Sequence, residues 1–398
     1  MATFSVGFLG CKVSQTDAQE IRERLVADGH FEGDGEVDVA VVNTCCVTHE
    51  AVRKSRQAAR RAARSAGLVY VTGCGANLGR DAFAGLPANV TVVPLPGERT
   101  PGYVAGDVGA VGCVRAEVGL DRVRAFVKVQ DGCSFSCAFC VIPQVRGASR
   151  SRPAASVLAE VARRVGQGHS EVVLTGINLG CYRDRGAGFD LPRLVREAGQ
   201  TLGLERLRLS SIEVNHLSDA LLAAMRETPS VSPHLHVPLQ SGDDRVLDAM
   251  GRRYSVATYL RRVAKAEGFN LTTDVIVGFP AEDDAAFANT MRVVREAGIT
   301  KVHVFPYSPR PGTRTAAEDG ISPAVKRERS ARLRELSEAA CRQRWREKLG
   351  SEDVVLVDRP GRGYGDDYTP WLVEAPVGTL VRARAVRVTD KGVLGVAA

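Results

Sequence analysis

No apolar run in this 398-residue chain comes near the roughly 18 residues that suggest a membrane span, and the longest, such as the one ending at Val42, fall far short. That excludes a spanning helix. The opening MATFSVGFLGCK sets a leucine and a glycine before Cys11, as a lipoprotein cleavage site would. It lacks a basic segment ahead of them, and its apolar stretch is too short for a signal peptide, so we expect a cytoplasmic chain that engages no membrane. Charge of neither sign dominates. The balance of 53 Lys+Arg against 46 Asp+Glu permits a nucleic-acid partner without demanding one. A disulfide framework is not expected, because ten cysteines in a reducing compartment argue for metal or redox chemistry. The remainder, 44% hydrophobic and 25% charged, is globular composition with length for two or three domains.

Three segments differ in patterning. The first, residues 1–112, alternates the strands FSVGFLG, VDVAVVNT and LVYVTG with helical patterns, the rhythm of a small α/β sheet. TDAQEIRERLVADG reads as an amphipathic helix capped by Thr16 and stopped by Gly29. Cysteines fall just after the strands: Cys11, the Cys45-Cys46 pair and Cys74. The Pro- and Gly-rich stretch from Leu86 to Gly112 reads as irregular chain leading to a boundary. The second segment, residues 118–345, offers six strand candidates, VRAFVKVQ, EVVLTG, RLRLSSI, HLHVP, LTTDVIVG and KVHVFP, most of them separated by helical patterns such as SVLAEVARRVGQG. That alternation predicts a parallel sheet with right-handed crossovers, an open (βα)6 partial barrel with its chemistry at the C-terminal strand ends. The third, residues 350–398, is short and β-rich and is expected to form a small β-barrel. The expected fold class is thus α/β, with a small α/β domain, a central partial barrel and an appended small barrel.

Cys133, Cys137 and Cys140 stand at C-x3-C-x2-C spacing in GCSFSCAFC, directly after the first barrel strand. A structural zinc site closes with four ligands, commonly in paired C-x2-C knuckles, and no matching second knuckle follows. Three thiolates on one loop suit instead a 4Fe-4S cluster that leaves its fourth iron open. A non-enzymatic RNA-binding module with structural zinc stays open as an alternative.

The loop, with Phe139 beside its last cysteine, resembles the radical S-adenosylmethionine superfamily. The resemblance implies that S-adenosylmethionine chelates the open iron and that one electron cleaves it to a 5′-deoxyadenosyl radical. It also makes residues at successive strand ends candidates for cofactor contact: Phe139, Gly176 and Asn178 of TGIN, Glu213 of SSIE, Gln240 and Ser241 of HVPLQSG, and the turn VGFP. Each alone is equally consistent with a structural loop residue.

GFLGCKVSQ, NTCCVT, TGCGAN, VPLQSGDDRVLDAMGRRY and the β-rich tail resemble the methylthiotransferases within that superfamily, over essentially the whole chain. This implies a second 4Fe-4S cluster on Cys11, Cys45 and Cys74 that carries an exogenous sulfur, and a tail like the TRAM domain, a small RNA-binding barrel. One S-adenosylmethionine would methylate the sulfur. A second would give the radical that takes hydrogen from an unreactive carbon, to which the methylthio group is transferred. No general acid or base is required. A sulfur donor and an electron donor such as flavodoxin or ferredoxin are implied as partners. The plain alternative for these three cysteines is burial as small hydrophobes. Cys46 departs from the family pattern, which usually has no thiol there. Adjacent residues on a strand end point to opposite sides, which favours Cys45 as ligand. Cys113, Cys181 and Cys341 match no motif and are expected to be structural.

Sister families modify isopentenyladenosine in tRNA, threonylcarbamoyladenosine in tRNA, or an aspartate of a ribosomal protein. THEAVRKSRQAARRAARSAG, taken as a helix, places Arg53, Lys54, Arg56, Arg60, Arg61 and Arg64 within roughly 160° of arc, with the alanines opposite. Only Glu50 offsets this face, so an RNA-phosphate-binding helix is preferred to a solvated surface helix. RKSRQAARRA also resembles the threonylcarbamoyladenosine subfamily, which implies conversion of N6-threonylcarbamoyladenosine 37 of tRNA to its 2-methylthio derivative. The isopentenyladenosine and ribosomal-protein activities are the alternatives. The basic segment from Lys326 to Lys348 either extends the cationic track or connects barrel to tail.

Overall fold

The computed structural model describes residues 1–94 and 123–398, which form two compact units. Cys113, the expected boundary between 112 and 118, and most of the Pro- and Gly-rich stretch lie outside the described residues. One unit holds residues 1–94 with Asp131–Arg150 and Ser308–Ala317; the other holds residues 123–130, Ser151–Tyr307 and Glu318–Ala398.

In the first unit five parallel strands run in the order β2-β1-β3-β4-β5, with β1 Thr3–Phe8, β2 Phe31–Glu32, β3 Val37–Thr44, β4 Ala66–Gly73 and β5 Val90–Val92. Alternate residues of β3 serve opposite faces. Val39 and Val41 pack with Phe4, Val6 and Ile21 and Leu25 of α1 (Lys12–Ala27), whereas Ala40 and Val42 join Val69, Val71 and Ala59 of α2 (His49–Ala62). Two expectations are corrected. Helix α1 starts a turn earlier than its apolar pattern suggested, with Cys11 at the N-cap; Thr16 lies inside it and donates to the Val13 carbonyl at 2.8 Å, so it caps nothing. Val90–Val92, in the stretch read as irregular, pairs with β4.

The second unit contains all six expected barrel strands: β6 Arg124–Asp131, β7 Glu171–Gly176, β8 Arg206–Leu209, β9 His234–His236, β10 Asn270–Val277 and β11 Lys301–Pro306. Neighbours in sequence are parallel neighbours in space, and β8 meets β9 through the isolated bridges Leu207–Val231 and Ser211–His236. This is an open partial barrel. Helices cover its outside, and Val127, Leu174, Leu207 and Val275 share one core with Val157, Leu194, Leu222 and Phe287. The tail closes into a five-stranded barrel around Trp371, built from β12 Glu352–Arg359, β13 Arg362–Tyr364, β14 Pro370–Leu372, β15 Leu380–Val388 and β16 Val393–Ala397. The helix Pro323–Glu347 links the two barrels, and part of its charge is engaged within the unit: Lys326 with Asp319, Arg329 with Glu282 and Asp284, and Arg344 with Asp367, which Lys348 just beyond also meets, while Arg327, Arg334, Arg342 and Arg346 are exposed. Among the two readings of that segment, these pairs support the connector.

Glu171, at the start of β7 and 1% exposed, is caged by Arg208 Nε at 3.0 Å, Arg206 Nη1 at 3.1 Å and Arg124 Nε at 3.3 Å. Burial alone would raise its pKa, but the three guanidinium groups hold the carboxyl below the ordinary carboxylate range. Arg206 and Arg208 also donate to the carbonyls of Val354, Gly365 and Asp366, so this one carboxylate fixes the arginines that tie the small barrel to the large one. Glu171→Gln leaves buried cations uncompensated and is expected to lower stability by about 3–5 kcal/mol. Thermal or denaturant unfolding of the purified variant checks this; an unshifted midpoint contradicts it.

Candidate functional site

The loop after β6 is pinned at both ends. Cys133 N donates to Gly147 O at 3.0 Å, Cys140 N to Cys137 O at 3.2 Å, and Phe135 N reaches Cys133 Sγ at 3.4 Å. Gly132 adopts φ +69°, and a Cβ there would lie 2.1 Å from Ala148 O, so only glycine lets the loop close. The segment Ser308–Ala317 straps the loop from outside. Thr315 Oγ1 and N donate to Ala138 O at 3.1 and 3.3 Å, Arg314 Nη2 to Ser136 O at 3.1 Å, and Gln144 Nε2 to Gly312 O at 2.6 Å. Ala138 is buried while Cys133, Cys137 and Cys140 stay half-buried, which leaves the thiols accessible on a fixed backbone. Phe139 is half-buried on the same loop.

Cys11, Cys45 and Cys74 directly follow or lie just beyond the C-terminal ends of β1, β3 and β4, which are adjacent in the sheet. Parallel pairing brings three positions distant in sequence to adjacent strand ends. Cys11 is exposed at the N-cap of α1, and Cys45 and Cys74 are buried. Gly10, at φ +128°, brings the Cys11 turn so close that a Cβ would stand 3.2 Å from that of Cys45. Burial pushes the Cys45 thiol up, and Cys11 adds to the rise; burial pushes Cys74 up to about 12 against the pull of Arg146. Such thiols ionise when a metal takes the place of the proton, and an all-thiol donor set suits iron in an iron–sulfur cluster. The residues fit that group. Among the described residues no three His, Cys, Asp or Glu side chains gather tightly enough for a single metal ion, and a cluster asks for wider spacing.

Arg146 is the residue that motif reading missed. It ends the short helix α3 (Ile142–Arg146), is 7% exposed, and donates from Nε to Cys74 Sγ at 2.9 Å, from Nη2 to Asp17 at 2.6 Å and from Nη1 to both oxygens of Asp131 at 3.1 Å. One side chain therefore joins the cysteine loop to α1 and to Cys74. Asn77 Nδ2 adds a bond to Val145 O at 2.6 Å. Cys46 is fully buried in an apolar cluster with Cys74, Val141 and Val145, and burial pushes its thiol well above the ordinary range.

The strand-end residues divide by what they touch. Asn178 is buried, its N donates to Gln130 Oε1 at 2.8 Å, and its Oδ1 has no hydrogen-bond partner, an orphaned acceptor that a ligand donor would satisfy. Gly176 is packed against Gln130, whose Oε1 would lie 2.9 Å from a Cβ. Glu213 accepts from Asn215 N at 2.8 Å and pairs with Arg252 at 3.4 Å. Gln240 has a positive φ of 65° and donates its N–H to Asp274 O at 2.9 Å; Ser241 is fully buried and accepts from Asp243 N at 3.3 Å. Cys181 Sγ lies 3.3 Å from His216 Nε2, and Cys341 Sγ donates to Thr300 O at 3.0 Å.

The basic face of α2 is partly engaged. Thr48 caps the helix by accepting from Ala51 N, Glu50 pairs with Arg53 at 2.6 Å and Lys54 at 3.7 Å, and Arg56 bonds the carbonyls of Ala82 and Ala84 at 2.7 and 2.8 Å. Arg60, Arg61 and, beyond the helix end, Arg64 are exposed, and their side chains show no hydrogen bond or ion pair among the described residues.

The sequence signature of the radical SAM superfamily matches residues 127–294, and that of uncharacterized protein family UPF0004 matches residues 3–93. The chain is 35% identical to threonylcarbamoyladenosine tRNA methylthiotransferase MtaB of Chlamydia pneumoniae, over 99% of this chain and 97% of the relative. It is 35% identical to the protein of that name in Bacillus subtilis, over 86% and 82%, and 34% identical to tRNA-2-methylthio-N(6)-dimethylallyladenosine synthase of Paracoccus denitrificans, over 98% and 95%. Among solved structures, the radical S-adenosylmethionine methyltransferase TsrM of Kitasatospora setae matches with a TM-score of 0.54 at 14% identity, over 79% of this chain and 77% of that one, a likeness of fold.

Replacing Cys46 by Thr is expected to leave iron and sulfide content after anaerobic reconstitution unchanged, whereas Cys45→Ala loses the iron of one cluster. Equal loss from both variants would make Cys46 a ligand.

Proposed function

We propose a reaction for this chain from one premise: it belongs to the radical S-adenosylmethionine methylthiotransferase family. The reaction is conversion of N6-threonylcarbamoyladenosine 37 of tRNA to its 2-methylthio derivative. The observation that carries this reading is the presence of two cysteine triads in one compact unit, Cys11, Cys45 and Cys74 at adjacent strand ends and Cys133, Cys137 and Cys140 on one pinned loop. Each triad would hold a 4Fe-4S cluster, the second one also S-adenosylmethionine. When bound, these groups supply a radical strong enough to take hydrogen from an unreactive C–H bond and the methylthio group that replaces it.

The chain's own side chains bind, orient and neutralise. Asn178 Oδ1, buried without a partner, would accept from a cofactor donor. Arg146 would hold the Cys74 sulfur through its N–H, and the carboxylates of Asp17 and Asp131 keep the net charge of that contact low. Arg60, Arg61 and Arg64 would offer exposed cations to tRNA phosphates, and the small C-terminal barrel, whose sequence resembles a TRAM domain, would give a second RNA contact. A sulfur donor and a one-electron carrier of the flavodoxin or ferredoxin class complete the partners. A tRNA substrate fits a cytoplasmic enzyme, and no helix among the described residues is long and apolar enough to cross a membrane.

Identity alone does not separate two tRNA products, since relatives of both names reach 34–35%. The RKSRQAARRA helix supports the threonylcarbamoyl reading; the Paracoccus relative supports a dimethylallyladenosine reading as the second.

Nucleosides from tRNA of cells with and without the gene, compared by mass spectrometry, decide this. Loss of the 2-methylthio-threonylcarbamoyl nucleoside with accumulation of its precursor is expected; loss of the dimethylallyl derivative assigns the second reading, and no change overturns both. Replacing Arg60 and Arg61 together by Gln is expected to weaken tRNA binding about tenfold at low salt and to flatten the salt dependence by about two in slope. An unchanged slope removes these residues from the interface.

A further inference from the structure

The lumen of the partial barrel carries side chains that neither cysteine triad uses. Along β9, β10 and β11, Leu235, Leu271, Val275 and Val302 pack against the surrounding helices, so their alternates line the inside: His234 and His236, Thr272 and Asp274, Lys301 and His303. Parallel barrels ordinarily fill this space with branched apolar residues. Here this stretch of it is polar, and all six residues belong to one compact unit.

At the N-terminal end of the lumen the polar groups are matched by the small barrel. The turn between β13 and β14 enters there: Arg208 donates to Asp366 O and Gly365 O at 2.7 and 2.8 Å, Asn270 Nδ2 donates to Asp367 O at 2.6 Å, and the Tyr368 ring meets His234 edge-on with centroids 4.6 Å apart. That turn forms a floor. One layer higher the lumen stays accessible, with His303 exposed and the Asp274 side chain 27% exposed. His236 is the last residue of β9, so this layer lies toward the strand ends at which barrel chemistry gathers.

A chain of contacts ties this layer to the floor. His236 Nε2 lies 3.2 Å from Asp274 Oδ2, and its Nδ1 lies 2.9 Å from Thr272 Oγ1, which His234 Nε2 approaches to 3.0 Å. With both rings neutral, one arrangement satisfies all three contacts: His234 donates to the hydroxyl, the hydroxyl to His236, and His236 to the carboxylate. Asp274 is thereby fixed in the lumen as an acceptor. His303 stands opposite Asp274 in the register of β10 and β11, its ring 5.5 Å from that of His236, centroid to centroid.

An anchored carboxylate and an exposed imidazole side by side fit a substituent rich in hydrogen-bonding atoms. The threonylcarbamoyl group has urea N–H groups, a hydroxyl and a carboxylate. The dimethylallyl group has none of these and would desolvate both residues without replacing their bonds to water. We infer that Asp274 and His303 contact the N6 substituent of the substrate nucleoside and select a polar one, Asp274 by accepting from its N–H or hydroxyl and His303 by donating to its oxygens. The inference rests on the reading of the substrate as N6-threonylcarbamoyladenosine in tRNA.

The test uses full-length enzyme reconstituted anaerobically with iron and sulfide, in the presence of S-adenosylmethionine. Its probes are three anticodon stem-loop RNAs that differ only at position 37, with threonylcarbamoyladenosine, dimethylallyladenosine or plain adenosine, and Kd is read by fluorescence anisotropy. Wild-type enzyme is expected to bind the threonylcarbamoyl RNA about tenfold or more tightly than the other two. His303→Leu and Asp274→Ala are each expected to weaken that RNA about tenfold and leave Kd for the adenosine RNA unchanged. Retention of the preference in either folded variant, or equal weakening toward all three RNAs, overturns the inference. If Asp274→Ala fails to fold, His303→Leu decides alone. A wild-type preference for the dimethylallyl RNA sinks the threonylcarbamoyl reading and the inference with it. A threonylcarbamoyl preference that the variants keep sinks the inference alone, as does a wild-type enzyme with no preference.

Discussion

The contact on which the site depends is the one Arg146 makes with Cys74, Asp17 and Asp131. A buried arginine has to be matched, and here two carboxylates and a sulfur from three separate stretches of chain do so, within 3.1 Å of its three nitrogens. The match is also a constraint on shape. Asp17 sits on α1, Cys74 follows β4, and Asp131 ends β6, so the guanidinium can be satisfied only when the cysteine loop is seated on the N-terminal sheet. The strap Ser308–Ala317, through Thr315 and Arg314, and the Asn77 bond to Val145 add to that seating.

Parallel sheet geometry supplies the rest. Chemistry gathers at C-terminal strand ends because that is where neighbouring parallel strands all release their chains on one edge. The N-terminal sheet uses this edge for Cys11, Cys45 and Cys74, and the partial barrel uses the corresponding edge for the cysteine loop, Asn178 and Glu213. The Glu171 cage lies at the opposite, N-terminal end of β7, where it joins the small barrel to the large one.

Much of this was legible in the sequence, and what was not has a physical reason. Four of the six barrel strands, β6, β7, β10 and β11, are short runs that contain β-branched residues, and local pattern suffices for them; β8 (RLRL) and β9 (HLH) contain none. Cys133, Cys137 and Cys140 stood out by their spacing, whereas Cys11, Cys45 and Cys74 were singled out by their places just after strands and by family resemblance. Thr16 was misplaced as a cap because helix α1 continues back to Cys11 through residues whose burial comes from the sheet, not from their own periodicity. Val90–Val92 pairs as an edge strand only because β4 is there to receive it. Arg146 is invisible to pattern: an arginine in IPQVRG looks like any surface residue until tertiary structure buries it. The same holds for Arg56, whose place on a cationic face conceals that its guanidinium bonds two backbone carbonyls.

Two independent thiol mounts are the central claim, and iron counting tests it most directly. Wild-type protein reconstituted anaerobically should hold about eight irons, and replacing either Cys11, Cys45 and Cys74 or Cys133, Cys137 and Cys140 by Ala should leave about four, with distinct Mössbauer spectra for the two remainders. A wild-type protein with about four irons or fewer, or one triad whose replacement leaves the iron content unchanged, would contradict it.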